Sequence, residues 1–217
     1  MSLLFIVLII PLIGFFAVLF TPRESKAAFG VAFVATIAAF IASLGLIAPV
    51  LSNGAAFSSV VNESWIDSPG LQIRFHIGVD GISLWLVLLT TLLLPIAVWI
   101  SRGMILERHK AFYALLLLFE LGLIGVFSAL DLFVFYVFWE VALVPMYLMV
   151  GGWGGSRRGA TAVKFFVYTM VGSVLMLGSI IYVHSQAGTF DYVEIMNAVA
   201  RPGAGVAMPP KSEISMD

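Results

Sequence analysis

A single carboxylate stands inside a long apolar run, and that placement constrains the chain more than any other feature. The run is DLFVFYVFWEVALVPMYLMVG, Asp131 to Gly151, with Glu140 at its centre. About twenty residues at helical rise cover roughly 30 Å, the hydrocarbon thickness of a bilayer, so the run reads as a transmembrane helix with Glu140 near the midplane. A carboxylate at that depth costs at least a few kcal/mol and usually faces a bundle interior or a wet cavity, marking an ion or proton route. The alternative is a neutral acid hydrogen-bonded between helices. Pro145, five residues on, has no N–H and crowds the carbonyl of Val141, which predicts a kink or loosened turn beside the acid.

The rest of the chain repeats the theme. Hydrophobic residues make up 61% of the 217 and charged residues 11%. The fold class is therefore all-α, a polytopic membrane protein, with about six spans expected at 3–20, 27–51, 81–100, 111–129, 131–150 and 162–184. These form one transmembrane helical domain over 1–185. The remaining 186–217 never regains the apolar length to cross a bilayer and reads as a short, disordered extramembrane tail. Residues 52–79 form one long connection, whose Glu63, Trp65, Asp67, Arg74 and His76 mix with apolar residues, so it is expected to pack on the membrane surface. Asp80-Gly81 opens the third span, and Asp80 reads as a helix N-cap.

Charge placement orients the spans. The first has no basic leader and is followed by Arg23 and Lys26, so it reads as a retained helix and not a cleaved signal. Arg23, Lys26, Arg102, Arg108, Lys110, Arg157, Arg158 and Lys164, eight of the eleven Lys and Arg residues, fall on one side. That side is expected to be cytoplasmic, with both termini outside.

Several chemistries are set aside. There is no cysteine, which excludes disulfides and thiolate-held iron–sulfur clusters. His76, His109 and His184 fall at or outside helix ends, where no two clamp a haem, and no metal-ligand spacing occurs. No redox centre or other cofactor is expected in this chain, and the charge balance of −1 points to no nucleic-acid partner. The glycine-rich GGWGGSRRGATAV lacks Walker spacing and reads as a flexible turn with topology-setting arginines.

A second acid, Glu120, lies in the fourth span. Counted from a turn centred near Leu130, Glu120 and Glu140 sit at similar depth, roughly 15 Å from the turn. They are expected to meet or to share water, and two acids in one cavity resist joint ionisation, the condition for taking up and releasing protons at cellular pH. For Glu120 a protonated acid bonded to a neighbouring helix is the competing reading. Lys164 begins the sixth span about one turn inside the membrane, roughly 10 Å nearer the cytoplasm than Glu140, too far for a direct ion pair. Its readings are snorkelling to headgroups or a water-linked proton path towards Glu140. Tyr168, Thr169 and Ser173 line such a path or tie helices together, and Met146, Met149, Met170, Met176 and Trp139 read as packing.

Three stretches carry a resemblance to a known family: FHIGVDGISLWLVLLTTLLLPIAV (75–98), FSALDLFVFYVFWEVALVPMYLMVGGWGG (127–155) and AVKFFVYTMVGSVLML (162–177). They closely resemble subunit M of proton-translocating NADH:quinone oxidoreductase, respiratory complex I, equivalent to mitochondrial NADH dehydrogenase subunit 4 and related to Mrp-type cation/proton antiporters. The FWE…VPMY wording is the most specific part. The resemblance implies the first part of an antiporter-like subunit of the membrane arm, in a bacterial inner (cell) membrane, with other membrane-arm subunits and the lipid bilayer as partners. NADH, FMN, iron–sulfur clusters and quinone then belong to the complex as a whole and to other subunits. In the family the fifth-helix glutamate, matched by Glu140, pairs with a seventh-helix lysine and hands protons to later lysines. Lys164 matches a basic residue at the start of the sixth helix. Family members have about fourteen helices with two inverted repeats; only six are expected here, and RPGAGVAMPPKSEISMD does not resemble what should follow, so a truncated, frameshifted or split product is expected. The competing functions are an Mrp-type antiporter component and a structural remnant that carries no protons.

Overall fold

The computed structural model describes residues 2–22, 27–53, 57–68, 71–105 and 107–200. Among the described residues, six helices are long and apolar enough to cross a membrane. They are α1 (Leu3–Phe20), α2 (Ala27–Leu44) continued by the short α3 (Ile47–Asn53), α4 (Ser83–Met104), α5 (His109–Ser128), α6 (Leu132–Trp153) and α7 (Arg158–Ala187). Two elements depart from the expectation. Two strands pair antiparallel as the arms of a hairpin, β1 (Ser58–Ser68) and β2 (Leu71–Val79). The supposed disordered tail contains a further helix, α8 (Tyr192–Ala200); residues 201–217 lie outside the described residues.

The hairpin has a local cause. In LQIRFHIGV, apolar Ile73, Phe75, Ile77 and Val79 alternate with Gln72, Arg74, His76 and Gly78, the two-residue period of a half-buried strand. Ile73, Ile77 and Val79 are buried against the bundle. The tail departs from disorder because it is tied to the bundle by backbone bonds: the Leu132 amide donates to the Phe190 carbonyl and the Tyr192 amide to the Leu130 carbonyl.

Among the described residues, contacts between the connecting segments gather at two ends of the bundle. At one end Ser2 donates to the Ser59 carbonyl, Ser58 to the Pro49 carbonyl and the Leu130 amide to the His76 carbonyl. At the other, Lys110 donates to the Thr21 carbonyl at 2.9 Å, the Trp153 indole to the Glu107 carbonyl at 2.9 Å, and Arg102 lies 5.2 Å from the centre of the Phe29 ring. The second end carries Arg102, Arg108, Lys110, Arg157 and Arg158; Arg23 and Lys26, counted with them from the sequence, lie outside the described residues.

At the centre of the bundle, α5 packs against α1, α2, α4 and α6, while α7 touches mainly α6. Close approach is made by small residues, as membrane helices require. A methyl group added at Gly122 of α5 would meet the backbone of Ala142 on α6 at 2.8 Å, and one at Gly125 would enter the Phe138 ring. A buried hydroxyl pair, Ser43 to Thr91 at 2.8 Å, ties α2 to α4. The interior divides into a cluster near the hairpin (Leu4, Leu46, Ile77, Ile124, Val134) and one at the cationic end (Val18, Ala28, Val98, Tyr113, Leu117).

Asp80 caps the start of α4 as its sequence position suggests. Its Oδ1 accepts the amides of Ile82 at 3.1 Å and Ser83 at 2.7 Å, and the Ser83 hydroxyl accepts the Asp80 amide in return.

Candidate functional site

Glu120 and Glu140 lie on α5 and α6, the pair of helices held together by Gly122 and Gly125. Glu120 is fully buried, and neither of its carboxyl oxygens has a hydrogen-bond partner among the described residues. Glu140 is half-buried, and its Oε1 is likewise buried and unpartnered. Orphaned buried carboxyl oxygens are costly, and each calls for a partner or a proton.

The packing register refines the expected depth. Gly122 stands opposite Ala142 and Gly125 opposite Phe138. Because the helices are antiparallel, Glu120 is level with Val144, four residues beyond Glu140. Four residues of helix are roughly 6 Å, so Glu140 lies about one turn nearer the hairpin end. No hydrogen bond joins the two acids among the described residues. A symmetric turn predicts similar depth for the two acids, but the close packing of Gly122 on Ala142 sets a different register.

Glu140 has polar company on one side. Tyr136, one turn earlier on the same face of α6, interacts with the Glu140 carboxylate and with the Ser173 hydroxyl of α7. Ser173 is buried and donates to the Met170 carbonyl at 3.0 Å. Ser173 was named from the sequence as lining a path or tying helices, whereas Tyr136 was not singled out; its i, i+4 spacing from Glu140 was the available signal. Thr169 donates to the Phe165 carbonyl at 2.9 Å, a bond within its own helix, and Tyr168 is exposed.

Lys164, in the second turn of α7, is exposed and forms no ion pair with Glu140 among the described residues. Pro145 is buried, and α6 runs through it from Leu132 to Trp153. It leaves the Val141 carbonyl, next to Glu140, without an intrahelical donor. No group of three metal-binding side chains occurs among the described residues.

The hairpin end holds a further polar cluster that the sequence did not single out. Asp131 caps α6 by accepting the amides of Phe133 at 2.8 Å and Val134 at 3.1 Å. Asp191 caps α8 by accepting the amides of Val193 at 2.8 Å and Glu194 at 3.1 Å. Asp131 and Asp191 pair as an isolated antiparallel bridge, and His76 Nδ1 lies 2.5 Å from Asp191 Oδ2.

Comparison with known proteins supplies the context. Residues 129–215 match the family described as NADH:quinone oxidoreductase/Mrp antiporter, TM. NADH-quinone oxidoreductase subunit M of Rickettsia bellii (strain RML369-C) is 41% identical over 165 residues, covering 76% of this chain and 33% of the relative. The same subunit of Rhodobacter capsulatus is 40% identical over 176 residues, covering 81% and 33%. Among solved structures, respiratory complex I from Thermus thermophilus with bound NADH contains a chain that superimposes with a TM-score of 0.76 at 27% identity, over 91% of this chain and 39% of that one. The chain thus spans about a third of the length of the curated relatives it matches.

Proposed function

The chain belongs to the antiporter-like subunit M family of NADH:quinone oxidoreductases, and from that premise we propose that it contributes a proton half-channel centred on Glu140 to a proton-translocating membrane arm. The observation that carries the reading is the unpartnered, buried Oε1 of Glu140 at the α6–α7 seam. With Tyr136 and Ser173 on one side and the unbonded Val141 carbonyl on the other, water has polar partners along one face of α6. Glu120, about one turn towards the cationic end, is the second acid of the path. Lys164 lies nearer that end again and serves its entry.

The cationic end faces the cytoplasm, which puts the hairpin, α8 and both termini on the opposite side of the cell membrane. Electron transfer belongs to partner subunits of the complex, where NADH, FMN, iron–sulfur clusters and quinone bind. The lack of any cysteine in this chain supports that division.

The test is Glu140→Gln in the assembled complex, with NADH oxidation and acidification of inverted vesicles measured side by side. The expected outcome is loss of most coupled proton uptake in a complex that still assembles. Near-normal uptake per NADH removes Glu140 from the path. An Mrp-type exchanger would instead show transport driven by a sodium gradient without NADH.

A further inference from the structure

Outside the proposed path, one set of buried ionisable groups joins segments far apart in sequence. His76 of β2 is 7% exposed, Asp131 at the start of α6 is 2% and Asp191 at the start of α8 is 4%. Three backbone bonds lace the same point: the Leu130 amide to the His76 carbonyl, the Leu132 amide to Phe190 and the Tyr192 amide to Leu130. The Arg74 amide also reaches Asp131 Oδ2 at 3.5 Å.

We propose that His76, Asp131 and Asp191 form a proton-operated latch, clamping the β1–β2 hairpin and the start of α8 onto the first turn of α6, closed on the acid side and loosened when the proton is lost. The argument is one of charge count. Each aspartate already accepts two amides of the helix that it caps, so neither can turn away from the junction without uncapping that helix. Two carboxylates are thus held in one buried site, and among the described residues the His76 ring is the basic group in contact with one of them, Asp191, where a proton on the ring offsets their charge.

The other groups around the junction do not replace that charge. From the hairpin, Arg74 offers its amide while its side chain is exposed. Asp80, beyond β2, lines an adjoining cavity of roughly 340 Å³ with Asp131 and Tyr192 and adds negative charge. From α7, the His184 ring stacks on Phe190 with centroids 4.0 Å apart. From α8, Glu194 is exposed. Burial pushes the Asp131 carboxyl above its usual range and the Asp191 charge adds to this, against the amide bonds from Val134, Phe133 and Arg74.

The sign for Asp131 follows from its burial. A carboxyl raised in the folded state contributes stability that is present at low pH and lost as pH rises through its folded value. A His76 ring without its proton no longer offsets the charge of the Asp191 carboxylate that it contacts. The latch rests on the proposed topology in one respect, that this end meets the compartment receiving protons.

Because the chain has no cysteine, a single introduced one reports on the junction. Ser128, buried at the end of α5, is replaced by cysteine, and its maleimide labelling in membranes containing the assembled complex is normalised at each pH to a cysteine at the exposed Met196. From about pH 6 to about pH 8 the normalised rate is expected to rise at least ~3-fold. Asp191→Asn keeps the α8 cap but removes one carboxylate, and should leave the rate low and flat. His76→Gln should be as open at the lower pH as the unaltered protein is at the higher. A flat unaltered profile, or an Asp191→Asn profile with the same slope, overturns the latch. Membrane-impermeant maleimide applied to right-side-out and inverted vesicles separates the two claims: a pH-dependent junction reached from the cytoplasmic face keeps the latch and refutes the topology.

Discussion

Replacing Gly122 by alanine tests how the two acids are held at their depths. The new methyl would stand 2.8 Å from Cα, N and Cβ of Ala142. Carbon atoms pack comfortably at roughly 3.5–4.0 Å, so α6 must retreat by something near 1 Å, and two of the three opposing atoms are backbone with no rotamer to escape into. Overpacking of this kind typically costs about 1–3 kcal/mol. The shift falls two residues from Glu140, so proton coupling should decline along with stability. The assay is the denaturation midpoint of the purified complex in mixed detergent micelles, with proton uptake per NADH measured on the same preparations. Gly30→Ala on α2 is the internal control, because a methyl there meets nothing within 4 Å and gains helix propensity. If Gly122→Ala unfolds at the same midpoint as Gly30→Ala, the seam is looser than described and the register of Glu120 against Glu140 does not follow from it.

The hairpin end yields two further predictions. Asp131→Ala removes the α6 cap and should lower stability by about 0.5–2 kcal/mol in denaturation, whereas Asp131→Asn should lose much less of it. Asp80 behaves oppositely to Asp131 with pH: burial raises its carboxyl, but the Ser83 and Ile82 bonds win and hold it below the usual range. Its contribution is therefore present above the ordinary carboxylate range and lost as pH falls through the depressed value. Asp80→Asn should abolish that part of the acid-side loss when unfolding midpoints of the two proteins are compared from about pH 6 down to about pH 3.

Much of this arrangement was legible in the amino-acid order. Apolar runs of bilayer length announced six membrane helices, the number found among the described residues, because a membrane helix satisfies its own backbone and needs no distant partner to exist. Glu140, Glu120 and Pro145 were visible for the same reason: a carboxylate or a proline is conspicuous where everything around it is hydrocarbon. The alternation in LQIRFHIGV announced a strand, yet it was overshadowed by the polar residues of the connection around it.

Other features had no local signature. Nothing near His76 in the chain announces Asp191, since 115 residues separate them and a histidine on the polar face of a strand reads as exposed until another segment covers it. The helix of residues 192–200 is short, and short helices are marginal in isolation; it forms where Asp191 caps it and the bridge to Asp131 anchors it. The depth of Glu120 relative to Glu140 likewise escaped counting from the turn, because register between packed helices is decided by which side chains allow contact. The sequence alone therefore determined which segments cross the membrane and which charges they carry into it, because those depend on transfer free energy residue by residue. Tertiary structure alone decided which of those charges stand together and at what depth, because that depends on close packing between segments that do not know of each other until the chain has folded.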